Sequence, residues 1–486
     1  MNNASIEFLI FFVVVFFLYH FFLREKTKQQ NILLLISGYV FYAWANWKIL
    51  PLLVITTAVF YLLGIAIFEA KTYKRKQWFT TLGITLGIGT LLYFKYFNFF
   101  ITSFKELFEG IGWQTNLSTF KILLPVGISF YTFRLLSYVI DIHREKNDPT
   151  RDFIAFATYV AFFPCILAGP IDRPATLLPQ LKNRRIFDYS LAVEGMRQIL
   201  WGFFKKAVIA DNCALCVNEV FAGDDYLQSG STLLFAAVLF SFQMYADFSG
   251  YSDVAIGVAK LLGFRITKNF DYPFFARNIA EYWRKWHISL TSWLTDYVFM
   301  PLNVRWRNLG NRGTTAAIML SFILIGLWHG DNWTFVIFGL YHGLLYIPLI
   351  YTGAMFRKKR IKTYQSWFSK IKVMLNILLT FGLVTAGNII FRAENTGQAF
   401  AYFRAMMDIS LFSLPVIENV DRLLGYQNVF FILFMMIVEW NQRKKQYVLD
   451  LTTVKLRPMR FAIYYVLIVL IFMFCAPSQI FIYFQF

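Results

Sequence analysis

Repeated apolar runs of near-bilayer length constrain the fold of this chain more than any other feature of its sequence. The runs lie at 8–23, 49–68, 78–94, 123–140, 153–168, 233–246, 314–328, 333–351, 373–390, 429–438 and 461–481. A membrane span needs roughly 20 mostly apolar residues, and backbone in lipid must pair its own polar groups, which favours helices. The sequence therefore predicts an all-α, polytopic transmembrane protein with about eleven transmembrane helices, and the shorter runs would have to tilt or extend to cross.

The composition supports that prediction. The chain has 486 residues, of which 58% are hydrophobic and 15% are charged, whereas a soluble domain has about 45–50% apolar and about 25% charged residues. The first run, 8–23, has no basic region before it and no small-residue cleavage site after it. It is therefore predicted to be a span and not a signal peptide.

The positive charge of the chain is concentrated in short loops. The net charge is +19, and the basic clusters lie at 24–28, 71–76, 144–151, 357–362 and 443–460. In a soluble protein such a charge would indicate nucleic acid, but between membrane spans it marks cytoplasmic loops. The pattern predicts no nucleic-acid partner, residue 1 and residue 486 outside, and the 71–76 loop inside. It does not decide the topology of 170–313.

The middle of the chain differs from its ends, so one membrane domain over 1–486 is predicted with three zones: N-terminal spans at 1–120, a core at 121–350 and C-terminal spans at 351–486. Polar residues crowd into the apolar sequence of the core: Arg134, Asp247, Asp253, Asp271, Arg277, Arg284, Lys285, His287, Asp296 and His329. A charge at the centre of a span costs about 2.5–3.5 kcal/mol on insertion scales. We therefore expect an interior chamber, with irregular backbone at 168–174, and we expect Asp247 and Asp253 to cap helices or pair with arginines.

The chain has five histidines, of which His20 and His143 are expected to be structural or solvated. His287 lies in the segment 281–290, which is predicted to be helical with Trp283, His287 and Leu290 on one face. Arg284 and Lys285 point elsewhere on that helix, towards lipid head groups or a charged ligand.

His329 ends an apolar span and is followed by Gly330. A neutral, buried imidazole suits general base chemistry, although an interior histidine that bonds between helices explains the same pattern. His342 has glycine neighbours at 339 and 343, which predicts close helix packing.

Other chemistries lack their motifs. Cys213 and Cys216 form a C-x-x-C without a second pair or nearby histidines, so no zinc site is predicted. The chain has no G-x-S-x-G, no G-x-x-x-x-G-K-[ST] and no H-E-x-x-H, which disfavours a serine hydrolase, an ATP-driven pump and a zinc protease. No bound cofactor or metal is expected.

A series of motifs in the core carries a family resemblance. They are Leu124–Phe133, Phe162–Ile171, Tyr245–Asp253 with Gly263 and Phe264, Tyr282–Leu290 with Trp293, Asp296, Tyr297, Pro301 and Leu302, and Gly326–Gly330 with Trp333. With these motifs, in this order over 121–343, the chain resembles the membrane-bound O-acyltransferase family, and within it the bacterial branch of alginate O-acetyltransferase membrane subunits. One departure is Asn303-Val304, where relatives usually carry two glycines.

The resemblance implies acyl transfer from a thioester to a hydroxyl, with His329 as the catalytic base and His287 orienting donor or acceptor. It implies a cytoplasmic donor, acetyl-CoA or an acyl thioester carrier, and Arg284, Lys285 and Trp286 are candidate contacts for it. Trp328, Trp333, His287 or backbone N–H groups are candidate donors to the developing oxyanion. It also implies a central tunnel, the bacterial inner membrane, and an extracytoplasmic esterase-like acetyltransferase as partner.

Several alternatives remain open at this point. An alginate-like exopolysaccharide is the first expected acceptor, followed by peptidoglycan and then by D-alanylation of teichoic acid. Lipid acylation is disfavoured, because the motifs resemble those of the bacterial polysaccharide-modifying branch of the family. Buried ionisable residues also mark transporters, but a transporter favours paired inverted repeats and no matching halves are evident. A non-catalytic export scaffold would tolerate replacement of His329.

Overall fold

The computed structural model describes residues 6–114, 119–120, 122, 124–222, 228–355, 367–417 and 420–482. It is 76% helical, and the residues that it describes form no strand. The all-α prediction is thereby confirmed.

Eight helices in the described part of the chain are long and apolar enough to cross a membrane. They are Trp47–Glu69, Tyr73–Gly110, Gly230–Leu261, Asn311–His329, Trp333–Tyr351, Trp367–Arg392, Arg422–Gln442 and Arg457–Phe474. A shorter apolar helix covers Glu7–Phe22. The chain is therefore a multi-pass membrane protein, as its apolar runs predict.

The structure divides into two compact units, unit 1 with Met1–Met196 and Val254–Thr267, and unit 2 with Arg197–Asp253 and Lys268–Phe486. The single domain with its three zones stays a prediction. The helices of unit 1 are α1 (Ile6–Phe17), α2 (Thr27–Ala45), α3 (Leu50–Glu69), α4 (Tyr73–Leu91), α5 (Phe97–Gly110), α6 (Ile128–His143), α7 (Phe153–Val160) and α8 (Pro174–Lys182). Helices α9 (Tyr189–Phe203) and α11 (Gly230–Leu261) have residues in both units.

One expected span of unit 1 is interrupted. The run 153–168 is helical only as far as Val160, because Pro164 lacks an N–H and its ring clashes with the carbonyl four residues earlier. Irregular backbone then continues to Arg173, which covers the predicted segment 168–174 except for Pro174, where α8 begins. The Arg134 guanidinium, buried in α6, donates to the carbonyl oxygens of Tyr159, Val160 and Pro170 at 3.1, 3.3 and 3.2 Å. It thereby satisfies backbone groups that this irregular segment leaves unpaired.

Two further helices of unit 1 differ from the apolar runs. In the part of the run 123–140 that the structure describes, which begins at residue 124, helix α6 starts at Ile128. It follows Gly127, whose φ of +75° lies in the left-handed region. A Cβ there would also lie 2.5 Å from the carbonyl oxygen of Ile166, so the site requires glycine. Helix α2 was not among the runs because it begins with the polar residues 27–31.

Unit 2 contains the remaining helices: α10 (Asp211–Ala222), α12 (Ile279–Trp283), α13 (Ile288–Leu294), α14 (Met300–Arg305), α15 (Asn311–His329), α16 (Trp333–Tyr351), α17 (Trp367–Arg392), α18 (Thr396–Met406), α19 (Arg422–Gln442) and α20 (Arg457–Phe474). A π-helical turn, Phe204–Ala210, precedes α10. Such turns occur frequently at functional positions.

The π-helical turn carries two buried lysines that bind carboxylates of unit 2. Lys205 lies 2.6 Å from Asp253, and Lys206 lies 2.8 Å from both Asp211 and Asp247. The expectation that Asp247 and Asp253 pair with arginines is therefore wrong: the adjacent lysines of this turn reach them first. This lysine cluster also holds the segment after α20, since Ile482 N–H donates to Asp247 at 2.8 Å.

Helices α15 and α16 pack through their backbones. A Cβ on Gly326 would lie 2.0 Å from the carbonyl oxygen of Phe335, and one on Gly339 would lie 2.2 Å from that of Phe322. Small residues allow this close approach in membrane helices. The glycine contact fixes the end of α15, where His329 lies.

Candidate active site

His329 is the last residue of α15, and Gly330 continues in extended backbone. Helix α16 begins three residues later, after Asn332, whose side chain accepts from Thr334 N–H at 3.0 Å. Two helices thus meet in a tight turn at His329, which is only 6% exposed. The predicted placement of this imidazole at a helix end beside a break is confirmed.

Aromatic rings surround the His329 imidazole. Ring centroids lie 5.1 Å away for Phe391, 5.9 Å for Phe338 and 4.9 Å for Trp328. Three aromatic side chains, one each from α15, α16 and α17, thus enclose the imidazole. Phe391, on α17, was not predicted from the sequence, because nothing in its local pattern marks it.

The segment that carries His287 is not the continuous helix that was predicted. Helix α12 ends at Trp283, α13 begins at Ile288, and His287 itself has φ 44° and ψ 53°. A left-handed conformation costs roughly 1–2 kcal/mol for a residue with a Cβ, and such positions concentrate at functional sites. His287, which is fully buried, therefore lies at a break between two helices and not within one continuous helix with Trp283 and Leu290.

Asn269 holds the break in place. Its backbone carbonyl accepts from Ile288 N–H at 2.9 Å, and its side-chain Oδ1 accepts from Ser289 N–H at 3.2 Å and Ser289 Oγ–H at 2.8 Å. The same Oδ1 lies 3.2 Å from His287 Nδ1. Because a backbone N–H can only donate, this atom is the amide oxygen, and His287 Nδ1 must carry the proton. The acceptor nitrogen of His287 is therefore Nε2.

Trp328 links the two histidines. Its ring lies 5.5 Å from the His287 imidazole and 4.9 Å from that of His329, both edge-on, and its side chain is buried. Two imidazoles from distant parts of the sequence are thus gathered around one indole. Trp333, the other tryptophan considered for oxyanion binding, is half exposed at the start of α16.

The three residues considered for donor contact occupy different environments. Trp286 is buried and stacks on Tyr282 with centroids 5.5 Å apart. Arg284 is exposed and donates to the Met355 carbonyl oxygen at 3.4 Å, while Lys285 lies 3.6 Å from Glu281. The turn between α12 and α13 therefore places two cations on its outer side and one aromatic ring inside.

His342 has a different environment. Its Nδ1 accepts from Trp283 Nε1–H at 3.3 Å, and a Cβ on Gly387 would lie 2.7 Å from its Nε2. The ring is therefore wedged between helices α12, α16 and α17. This environment fits the predicted close helix packing.

Chemically, the site offers one buried imidazole at a helix end, a second held in a defined tautomer, and an indole between them. In the described ranges, no group of three His, Cys, Asp or Glu side chains could hold a metal ion. Asn269 was missed by sequence reasoning, since it lies 18 residues before His287 in a segment without a motif. The site is therefore a pair of buried histidines beside a buried indole in a multi-pass membrane protein.

Comparison with known proteins gives the family. The sequence model of the membrane-bound O-acyltransferase family matches residues 143–390, which include His287, Trp328 and His329. The chain belongs to the membrane-bound O-acyltransferase family. It is accordingly an O-acyltransferase, and the family uses acyl donors.

Three relatives illustrate the similarity. "Probable alginate O-acetylase AlgI" of Azotobacter vinelandii is 37% identical over 400 residues, 81% of this chain and 76% of the relative. The protein of the same name in Pseudomonas aeruginosa is 36% identical over 426 residues, 86% of this chain and 77% of the relative. "Peptidoglycan O-acetyltransferase" of Helicobacter pylori is 31% identical over 418 residues, 79% and 75% of the two chains.

Proposed function

We propose that this protein transfers an acetyl group from a cytoplasmic thioester donor across the membrane for O-acetylation of an extracytoplasmic polysaccharide, with His329 as general base. The observation that carries this proposal is the buried grouping of His287 and His329 around Trp328. Family membership supports the reaction class. The names of the relatives support an alginate-like acceptor first and peptidoglycan second, with D-alanylation of teichoic acid third.

In the proposed reaction a hydroxyl oxygen attacks the thioester carbonyl carbon while the His329 imidazole takes the hydroxyl proton. The new C–O bond forms, the C–S bond breaks, and the imidazolium returns the proton to the leaving thiolate. A hydroxyl is a weak nucleophile without such a base. The burial of His329 among aromatic rings supports this role, because it shields the reacting groups from bulk water.

His287 has a positioning role in this proposal. Asn269 fixes its tautomer with the proton on Nδ1, so Nε2 is the nitrogen that would accept from donor or acceptor substrate. The burial of Trp328 favours its indole N–H over that of the half-exposed Trp333 as an oxyanion donor. Arg284 and Lys285 would meet the donor's phosphates, and Trp286 would support that contact from inside.

The proposal also covers the membrane topology, the acyl donor and the partner protein. We place about eleven crossings, with short or re-entrant helices, around a central tunnel in the bacterial inner membrane. The donor is acetyl-CoA or an acyl thioester carrier on the cytoplasmic side. An extracytoplasmic esterase-like acetyltransferase would receive the acetyl group and complete the transfer to the polymer. The names of the relatives support a role in polysaccharide acetylation.

The test replaces His329 by alanine in cells that carry the variant as their sole copy. O-acetyl ester is measured separately in exopolysaccharide and in peptidoglycan, with the membrane level of the protein determined by immunoblot. Loss of general base catalysis typically lowers a rate about 10²–10⁴-fold, so ester should disappear from one polymer. His143→Ala is the matched control, because His143 lies in unit 1, where its Nδ1 bonds Thr80 Oγ at 3.0 Å.

Ester lost from one polymer at a normal protein level identifies the acceptor and supports the base. Normal acetylation by a normally inserted His329→Ala protein would refute His329 as the base. Equal loss in His329→Ala and His143→Ala would also refute a specific role for His329.

A further inference from the structure

Unit 1 contains a cavity of about 410 Å³ that the proposed acyl transfer does not use. Its apolar wall is made by Phe16 and Phe21, at the end of the first apolar helix, and by Ile186 and Phe187. Cavities of roughly 300–1,000 Å³ with apolar walls and a few polar groups are typical of small-molecule sites. The polar groups of this cavity decide what kind of molecule it would accept.

Arg185 brings a buried positive charge to the cavity wall. The residue is only 7% exposed, and its guanidinium donates to Tyr19 Oη at 2.6 Å, to Asn31 Oδ1 at 2.6 Å and to the Leu181 carbonyl oxygen at 2.9 Å. These acceptors are uncharged, so they satisfy the donors of the guanidinium without neutralising its charge. A buried charge without a counter-charge is costly. The cavity beside Arg185 is therefore electrostatically suited to an anion.

Gln30 brings an acceptor to the same wall. The residue is 1% exposed, and its Nε2 donates to the Tyr19 carbonyl oxygen at 3.4 Å. Within the described ranges, its Oε1 has no hydrogen-bond partner. Buried polar atoms are nearly always satisfied. An occupant of the cavity should therefore supply a hydroxyl or another donor in addition to its negative charge.

The mouth of the cavity is basic. Arg24 lines it with a side chain that is 73% exposed and lies 3.8 Å from the Glu25 carboxylate. Glu25 also pairs with Arg184 at 2.5 Å and so joins this loop to the 183–188 segment, which leaves two arginines to one carboxylate. The loop 24–28 is predicted to be cytoplasmic from its positive charge. The cytoplasmic leaflet is also the one whose anionic lipids attract basic segments.

The geometry points to a binding site for an anionic phospholipid with a hydroxylated head group, of the phosphatidylglycerol type. The phosphate would lie between Arg24 and the positive field of Arg185, and a head-group hydroxyl would donate to Gln30 Oε1. An acyl chain would pass the four apolar side chains and leave the cavity along Phe21 and Phe22, which are 68% and 72% exposed. This site is independent of the proposed acyl transfer, so its test does not use acetylation as a readout.

The test measures lipid binding to the purified full-length protein after delipidation in detergent. Phosphatidylglycerol, phosphatidylethanolamine with the same chains, and inorganic phosphate are titrated separately, and binding is followed by native mass spectrometry and thermal unfolding. Arg24→Gln should weaken phosphatidylglycerol binding about tenfold, as expected for one charge-assisted hydrogen bond. Lys74→Gln, which removes an exposed charge from the 71–76 loop, is the matched control and should bind like wild type.

A second variant tests the cavity without changing any charge. Ile186→Trp fills the cavity from an exposed position, where misfolding is not expected, and should also weaken binding. Preferential binding of phosphatidylglycerol that both variants reduce supports the site. Three outcomes would each overturn the site. The two lipids could bind equally, inorganic phosphate alone could bind and be weakened by the same variants, or both variants could bind lipid as Lys74→Gln does.

Discussion

Unit 1 and unit 2 both bury charged side chains, but the groups in direct contact with those charges differ. In unit 1, Arg134 donates to backbone carbonyls, and buried Asp172 accepts from Thr267 N–H and Oγ–H at 2.9 and 2.6 Å. In unit 2, Lys206 lies between the carboxylates of Asp211 and Asp247. The direct hydrogen-bond partners of these two unit 1 charges are neutral groups, whereas the two unit 2 carboxylates contact a lysine. Unit 2, which also contains the candidate active site, thus depends on ion pairs for its tertiary arrangement.

The largest expected effect comes from removing the cation of unit 2. Lys206→Met leaves two buried carboxylates facing each other, and loss of one partner of a buried pair costs about 3–5 kcal/mol. Thermal unfolding of the purified protein should show this loss. It should also show partial recovery when Asp247→Asn is added, because that change removes one of the two uncompensated charges.

Lys444→Met, at an exposed position of unit 2, is the control for that measurement. If Lys206→Met unfolds at the same temperature as this control, the ion pairs do not stabilise unit 2, and the contrast between the units fails. Protease access to the segment after α20 gives a second measurement. It should rise in Lys206→Met, since Lys206 also donates to the Gln479 carbonyl oxygen at 3.1 Å.

A smaller effect is expected when Asn269 of unit 2 is compared with Asp172 of unit 1. Each of these buried side chains accepts hydrogen bonds from the N–H and the O–H of a single residue. Asn269→Ala should lower the transfer rate per folded molecule about tenfold, because losing one buried hydrogen bond costs about 1–3 kcal/mol and frees the His287 ring. Asp172→Ala should destabilise the protein but leave that rate unchanged. Asn269→Asp, which retains the acceptor oxygen, should restore part of the rate.

The measurement is the initial rate of acyl transfer, divided by the amount of folded protein and recorded against pH. A positioning role for Asn269 predicts that the pH profile shifts in Asn269→Ala, since the tautomer of His287 is no longer fixed. If the two alanine variants lose the same fraction of activity without a change in profile, Asn269 acts only through stability.

The smallest effect concerns an exposed ion pair of unit 1. A hydrogen bond from Lys76, 2.6 Å away, and the charge of that lysine hold the pKa of Glu145 below its ordinary value of 4.5. A carboxyl with a lowered folded pKa stabilises the protein above its unfolded pKa, and this contribution is lost as the pH falls through the folded value. Glu145→Gln should therefore lower the unfolding temperature slightly at neutral pH and not at all in acid.

Salt provides the control, because exposed pairs are screened. In 1 M salt the difference between wild type and Glu145→Gln should vanish, while that of Lys206→Met should persist. A salt-insensitive effect of Glu145→Gln would contradict the assignment of this pair as a surface interaction.

Much of the helical architecture follows from local sequence. Apolar runs mark helices because lipid leaves the backbone no other partner, and a polar start hides α2 from the same criterion. The end of α7 shows the converse: the run 153–168 is apolar throughout, but Pro164 and the irregular segment after it end the helix at Val160. Apolar composition reports the environment of a segment and not its backbone conformation.

In the candidate site, too, some features follow from local sequence and others depend on residues far away in the chain. The position of His329 at a helix end is local information, since Gly330 follows it directly. The break at His287 is not local, because residues 281–290 suit a helix and the bonds from Asn269 override that preference. The lysine partners of Asp247 and Asp253 were missed for the same reason, as the pairs connect residues more than forty positions apart. The catalytic roles stay predictions until they are tested.

The glycine contact between α15 and α16 has a thermodynamic consequence. Glycine has no side-chain rotamers to lose when two helices associate, and membrane helices pack mainly by close van der Waals contact. The backbones that meet at Gly326 and Gly339 are therefore joined without the entropy loss that ordering large side chains would require. Heating increases the weight of entropy, so it should loosen the aromatic rings around His329 before it separates the two helices that hold this histidine.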